Sequence, residues 1–131
     1  MDVESILDGI ATRLSTLAGL RVYPVVPDKI EPPAAVIGLT DIQFDDSMSG
    51  TDVVNVEVLL IATAAQGVAK AQEQLFNYLD DTAGIRTAIY GDVTLSGAAS
   101  YARVISADGP RTVSMAGTDY VGLAVAVEVV S

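Results

Sequence analysis

Val53-Val-Asn-Val-Glu-Val-Leu-Leu-Ile-Ala-Thr63 is the stretch of sequence from which the fold can be worked out. Its apolar residues alternate along the first half, with Asn55 and Glu57 on the opposite side, and this period of two predicts a β-strand. Leu59 and Ile61 then make the second side apolar as well. The pattern therefore predicts a strand that is buried on one face throughout and on both faces towards its end.

After Gln66-Gly67 the apolar spacing changes from two to about 3.6 residues, which is the period of a helix. The residues on one side of this predicted helix are Val68, Ala71, Leu75, Tyr78 and Leu79. Polar side chains fall largely on the other side. A strand followed by a helix that packs back over it predicts a core between helix and sheet.

The remaining sequence adds strands and further helices to this core. Asp2 can cap a first helix whose apolar side ends at Leu17. Further strands are expected over 21–26, 34–43, 99–107, 111–115 and 120–130, and a short helix over 83–90. Asp108-Gly-Pro110 is expected to turn the chain. The sequence predicts one domain, residues 1–131, of the α+β class: a mainly antiparallel or mixed β-sheet with an N-terminal helix and a central helix packed on it.

The composition limits the chemistry open to the protein. The 131 residues include no cysteine and no histidine, which excludes disulfides and the common histidine- and cysteine-based nucleophile systems. The pairs Asp45-Asp46 and Asp80-Asp81 are better explained as a solvated loop and a helix end than as a catalytic pair. Residues 45–50 resemble the first half of a calcium loop, but Val56 stands where a bidentate Glu is needed. We expect no enzyme activity, no cofactor and no metal site.

The formal charge is −10, from 17 acidic and 7 basic residues, and it is unevenly distributed. No Lys or Arg occurs from Ile30 to Ala69. Such a surface repels phosphates, so we expect no specific binding of nucleic acid, and solubility is the simplest reason for the charge. The acidic start and the short apolar runs predict a protein that is used without export and has no membrane partner.

Phe44-Asp-Asp-Ser-Met-Ser-Gly-Thr-Asp52 is predicted to be a long polar hairpin loop between two substantial strands. Connections of this length without secondary structure are uncommon in compact domains and are often functional. The loop is therefore a candidate functional segment.

Several short segments follow one another along nearly the whole chain: Gly19-Leu-Arg-Val-Tyr23, Val26-Pro-Asp-Lys-Ile-Glu-Pro-Pro-Ala-Ala-Val36, Asp92-Val-Thr-Leu-Ser-Gly97 with Arg103-Val104, and Gly117-Thr-Asp-Tyr-Val-Gly122 with Val127-Glu-Val129. In order and spacing they resemble the tail terminator proteins of long, non-contractile-tailed (siphovirus-type) phages of actinobacteria. Those proteins show a similar Pro-Asp-x-Ile-x-Pro-Pro segment after a short N-terminal helix. Pro24, and the lack of an aromatic residue near Val53, depart from the pattern and leave the strand pairing open.

The resemblance implies a structural protein of the virion. Tail terminators are small subunits that form a hexameric ring on the head-proximal end of the tail tube and stop its polymerisation. The implied partners are further copies of this chain, the major tail tube protein and a head–tail connector or neck protein, with double-stranded DNA only as passing cargo. The implied location is the tail–neck junction, after assembly in the host cytoplasm.

Other functions remain open at this point. One alternative is another neck, tail-completion or head-closure protein, or a tail tube subunit. A more distant alternative is a small monomeric ligand-binding or enzymatic domain.

Two sets of residues are candidates for contacts within such a ring. The loop set, which would line the channel or dock on the tube unless it is only a solvated hairpin tip, is Asp41, Phe44, Asp45, Asp46, Met48 and Asp52. The second set lies in the final strand, which we expect to be an exposed sheet edge that pairs with neighbouring subunits. Its members are Val125, Ala126 and Glu128.

Overall fold

A computed structural model describes residues 2–17, 19–24, 32–44, 52–63, 65, 67–79, 84–95, 97–115 and 117–130. The helices are α1 (Val3–Leu14), α2 (Val68–Asn77) and α3 (Ile85–Tyr90). The strands are β1 (Arg21–Tyr23), β2 (Ala34–Gln43), β3 (Val53–Ala62), β4 (Tyr101–Ala107), β5 (Arg111–Met115) and β6 (Thr118–Val130).

The strands form one six-stranded sheet in the order β1-β2-β3-β6-β4, with β5 also paired to β6. The pairs β2–β3, β3–β6, β4–β6 and β5–β6 are antiparallel, and β1–β2 is parallel. The predicted α+β class is confirmed, and the sheet is mixed. β1 is a three-residue edge strand that stops before Pro24, as expected for a residue that cannot donate to a sheet ladder.

β3 has the burial that its alternation predicts. The side chains from Val54 to Ala62 on the helix-covered face are fully buried, while Asn55 is half-buried and Glu57 exposed on the other face. Ile61 is fully buried on that second face, in a small cluster with Val36, Ala34 and Tyr120. The sheet therefore has one helix-covered face and one open face, and only one end of the open face is apolar.

The helices cover one face of the sheet through regularly spaced apolar side chains. These are Ile6, Ile10 and Leu14 of α1, Ala71 and Leu75 of α2, and Ile85, Ala88 and Ile89 of α3. The Nε of Arg13 donates to the carbonyl oxygen of Ala88 at 2.8 Å, which ties α1 to α3.

Both ends of α1 show how local sequence sets a helix boundary. Asp2 caps the start, accepting hydrogen bonds from the Ser5 backbone N–H at 3.3 Å and the Ser5 hydroxyl at 2.8 Å, and these bonds lower the pKa of Asp2. The helix ends at Leu14, one turn before the predicted end at Leu17. Gly19 follows with φ 76°, a left-handed conformation that suits glycine.

The expected turn at Asp108-Gly-Pro110 is not observed. β4 and β5 run in the same direction along one side of β6, with Ala107 opposite Val125 and Arg111 opposite Gly122. Residues 108–110 therefore oppose only two residues of β6, and the backbone N–H of Asp108 still donates to the carbonyl oxygen of Ala124 at 2.8 Å. Gly109 and Pro110 therefore mark a bulge between β4 and β5, which together form one long arm of a hairpin with β6. The chain does not reverse direction there.

Gly122 on β6 sits where a larger residue would collide with its neighbours, and this gives a first prediction. A Cβ built there would lie 2.5 Å from Cγ2 of Val113 and 3.4 Å from the carbonyl oxygen of Leu60. We expect Gly122→Ala to lower the free energy of unfolding by about 1 to 3 kcal/mol, the usual cost of overpacking, as measured by urea denaturation.

Gly38 provides the matched control because it also lies in a strand on the open face, and a Cβ there would meet nothing within 4 Å. Gly38→Ala should leave stability unchanged or raise it slightly, since alanine loses less backbone entropy on folding. Equal losses from both substitutions would contradict the packing assigned to Gly122.

Candidate assembly surface

The described members of the predicted loop set, Asp41, Phe44 and Asp52, lie at or just beyond the ends of β2 and β3. Asp41, near the end of β2, is exposed, and its Oδ1 accepts a 2.6 Å hydrogen bond from Nδ2 of Asn55. Phe44 is 68% exposed and Asp52 is half-buried. Asp45, Asp46 and Met48 lie outside the described residues.

The second predicted set does not lie at an edge of the sheet. β6 is hydrogen-bonded to β3 on one side and to β4 and β5 on the other, so the expectation that the final strand is an exposed edge is wrong. Val125 is 1% exposed on the helix-covered face, whereas Ala126 and Glu128 are half-buried on the open face. The length and apolar character of β6 are those of a central strand, because both its neighbours shield it.

Among the described residues, one edge of the sheet is formed by β1 and the rest of β2, and the other edge by β4 and β5. β1 pairs only with Ala34, Ala35 and Val36, so within the described residues no strand covers the outer side of β2 from Ile37 to Gln43. On the opposite edge, β4 has no described strand beyond it from Tyr101 to Ala107. Each open edge is seven residues long, and each contains a register shift.

The two open edges stand at the same height in the sheet. Following the pairings across the strands, Gln43 is level with Val53, Val130 and Tyr101. At the other end of the edges, Ile37 is level with Ala107 through Val58 and Val125. Among the residues that the structure describes, no strand covers either edge over this shared span.

Exposed apolar side chains accompany both edges. Leu39 is 46% exposed on β2, with Phe44 just beyond that strand, and Tyr101 and Ile105 on β4 are 43% and 50% exposed. Sequence reasoning assigned no role to Leu39, Tyr101 or Ile105. The available signal was Pro24, because β1 stops before it and pairs with only the first three residues of β2 among the described strands.

A row of polar side chains crosses the open face between these edges. Nε of Arg103 on β4 lies 3.2 Å from Oε1 of Glu128 on β6. Glu128 is opposite Asn55 on β3, which donates to Asp41 on β2. The row therefore ends in a cation on one edge and a carboxylate on the other.

A cavity of about 310 Å³ lies beside the β4 edge on the helix-covered face. Its lining includes Tyr78, Leu79, Ile85, Val104 and Ile105. Burial raises the pKa of the Tyr78 phenol, so that group stays neutral at physiological pH and can donate a hydrogen bond. The cavity is a mainly apolar recess that opens next to an unpaired strand.

Two features are absent from the part of the chain that the structure describes. No helix there is long and apolar enough to span a membrane. No group of three or more His, Cys, Asp or Glu residues there could hold a metal ion.

Comparison with known proteins does not identify a function for this surface. No family model matches the chain, and no curated protein matches its sequence.

Proposed function

We propose that the protein is a tail terminator of a long, non-contractile-tailed phage, forming a hexameric ring that caps the head-proximal end of the tail tube. The observation that supports an assembly role is the pair of open sheet edges, level with each other and both flanked by exposed apolar residues. A protein that acts alone usually blunts such edges with charge, proline, a bulge or a covering element. Each of these edges has one register shift and one charged residue, yet each still exposes large apolar side chains. The ordered series of sequence segments from Gly19 to Val129 supports the particular family.

The function would be performed by matching surfaces, without a chemical step. One face of the ring would bind the last layer of tube subunits and thereby block the site at which the next subunit would bind. The other face would bind the head–tail connector, and double-stranded DNA would pass through the centre. The net charge of −10 suits this last role because acidic walls do not retain phosphates.

The test of this proposal is a tube-length measurement. The purified protein should form rings, detected by size-exclusion chromatography with light scattering and by electron microscopy. When added to polymerising major tail tube protein from the same phage, it should stop elongation and be found at one tube end only. Lys70→Glu serves as a control, because Lys70 is exposed on α2, away from both open edges, and this variant should terminate tubes normally.

The alternative functions give different results in the same assay. A tube subunit would be incorporated along the whole tube and would lengthen it. A head-closure or other neck protein would bind the connector and leave tube length unchanged, and a small monomeric domain would do neither. Any of these three results would overturn the terminator proposal.

A further inference from the structure

We infer that the cavity beside β4 is a docking site between copies of this chain, and that it receives the side chain of Phe44 from the next copy. The inference rests on the proposed ring for its biological meaning, and it names a contact that would join the subunits of that ring. The occupant of the cavity is thus a second copy of the chain.

The cavity has the size and chemistry of a site for one apolar group. It measures about 310 Å³, and Leu79, Ile85 and Val104 are among its apolar lining residues. Ile105 also lines it and is half exposed, so apolar surface continues from the cavity to the outside of β4. Filling such a cavity with an apolar side chain is favourable, because both apolar surfaces leave water.

Phe44 is the side chain that gains most from such a site. At 68% exposure it leaves a larger fraction of its surface in water than any other large apolar residue that the structure describes. Tyr90, another exposed aromatic residue, already has the guanidinium of Arg86 over its ring at 6.0 Å. Buried aromatic anchors supply much of the affinity of protein interfaces, so Phe44 is suited to this role.

Phe44 cannot fill the cavity of its own chain. The sheet order places β3 and β6 between β2 and β4, so three strand spacings, about 14 Å, separate these two strands. Phe44 follows β2 on one side of the sheet, and the cavity lies beside β4 on the other side. Another copy of the chain must therefore supply the phenylalanine.

Charge complementarity favours the same occupant. Among the described lining residues Arg86 is the single charged one, and the Tyr78 phenol and the Ser106 hydroxyl can also donate hydrogen bonds. Of the large apolar residues that the structure shows as exposed, Phe44 alone is followed directly by an acid, and a second acid comes next. Charges at the rim of a contact mainly steer and orient the partner, while the buried aromatic group supplies the affinity.

The inferred contact uses two different surfaces of each subunit, so it is heterologous. A heterologous contact generates a closed ring when its rotation closes and a filament when it does not. The strand edges take no hydrogen bonds from this contact, so β1 and β5 keep their places and the open edges remain available to other partners.

Photochemical cross-linking tests the contact in the full chain. We would replace Phe44 with p-benzoylphenylalanine, a photoreactive analogue of phenylalanine, and irradiate the purified protein alone and with its tail tube protein. A covalent dimer is expected. Trypsin cuts after Lys70, Arg86, Arg103 and Arg111, so the cross-link should be found in peptide 71–86 or 104–111, which carry most of the lining residues.

The matched control places the same analogue at Val68, an exposed apolar residue at the start of α2 that does not line the cavity. This variant should give no dimer that is cross-linked through either peptide. The inference is overturned if the analogue at Phe44 gives no dimer in both samples, if its dimer is cross-linked elsewhere, or if the control cross-links equally.

Substitutions at the same two positions give a second test that does not depend on the analogue. Phe44→Ala should raise the protein concentration at half-assembly by at least about tenfold, because truncating a buried aromatic anchor has an effect of this size or larger. Val68→Ala should leave that concentration unchanged. Both residues are exposed, so both variants should keep the parent's thermal unfolding curve. A folded Phe44→Ala variant that assembles like the parent would contradict the inference.

Two substitutions at the cavity itself test the charge of the occupant. Ile105→Asp and Ile105→Lys both remove the apolar contact, but Asp repels the acids that follow Phe44 whereas Lys attracts them. Assembly, measured by light scattering over a concentration series, should therefore be weaker for Ile105→Asp than for Ile105→Lys. The reverse order would rule out the assigned occupant.

The contact and the terminator function can fail separately. Tubes that terminate without cross-linking through Phe44 would leave the function intact and remove only this contact. Cross-linked oligomers that fail to stop tubes would leave the contact intact and remove the function.

Discussion

Leu60→Ala is expected to lower the free energy of unfolding by about 2 to 5 kcal/mol, which is a large part of the stability of a domain of this size. Leu60 is fully buried on the helix-covered face of β3, opposite Ala35 on β2 and Leu123 on β6. The surrounding strands hold their positions through backbone pairing on both sides, so the cavity left by the lost side chain cannot collapse easily.

The neighbouring residue Leu59 supplies the control, because it has the same side chain in the same strand on the opposite face. Leu59 is half-buried against the small cluster of the open face, and Leu59→Ala should cost only about 1 kcal/mol. Urea denaturation of both variants, with equal slopes, measures the difference. A cost at Leu59 equal to that at Leu60 would contradict the assignment of the covered and open faces.

The helices and strands could be predicted because their periodicity is local. The alternation in β3 and the 3.6-residue spacing in α2 each depend on a dozen residues, and burial then follows from which side is apolar. The end of α1 was misplaced by one turn, because Leu17 still packs against the core from beyond the helix. Apolar spacing reports contact with the core, and such contact can continue after helical hydrogen bonding has ended.

The order of strands in the sheet could not be predicted from such patterns. β6 has the same apolar alternation whether it lies at an edge or in the centre, since the decision depends on β4 and β5 pairing along its other side. The pair Gly109-Pro110 favours a turn in isolation, yet the pairing of flanking residues with β6 makes it a bulge. Long-range pairing outweighed local preference at both places.

The candidate surface was predicted only in part for the same reason. Asp41 and Phe44 were identified because they flank a long acidic loop, and both are exposed beside an open edge. Arg103 and Ile105 were not assigned a role, because a strand sequence does not reveal that one of its sides lacks a neighbour. Edges are properties of the whole sheet, so the residues that line them emerge only when every strand has been placed.

Reversing the charge of the loop between β2 and β3 is expected to have the largest effect on function, and this prediction rests on the proposed ring. This segment connects Gln43 of β2 to Val53 of β3, and its sequence carries Asp45, Asp46 and Asp52. A ring of six would repeat each of these charges six times around one axis. A channel that releases DNA quickly cannot offer phosphates a ring of cations, since each such contact displaces counterions and adds affinity.

The variant Asp45→Lys, Asp46→Lys, Asp52→Lys separates the possible roles of the loop. If the loop lines the channel, complete tails should join heads but eject DNA poorly, and the defect should deepen at low salt because screening is weaker. If the loop docks on the tube, tubes should grow past their proper length. The matched control places three lysines at Glu4, Asp8 and Glu73, exposed acids of α1 and α2, and changes the net charge by the same amount. Normal tails and normal ejection from the loop variant would contradict both roles, and the loop would then be only solvated surface. An equal defect in the control variant would show that the effect comes from net charge and not from this segment.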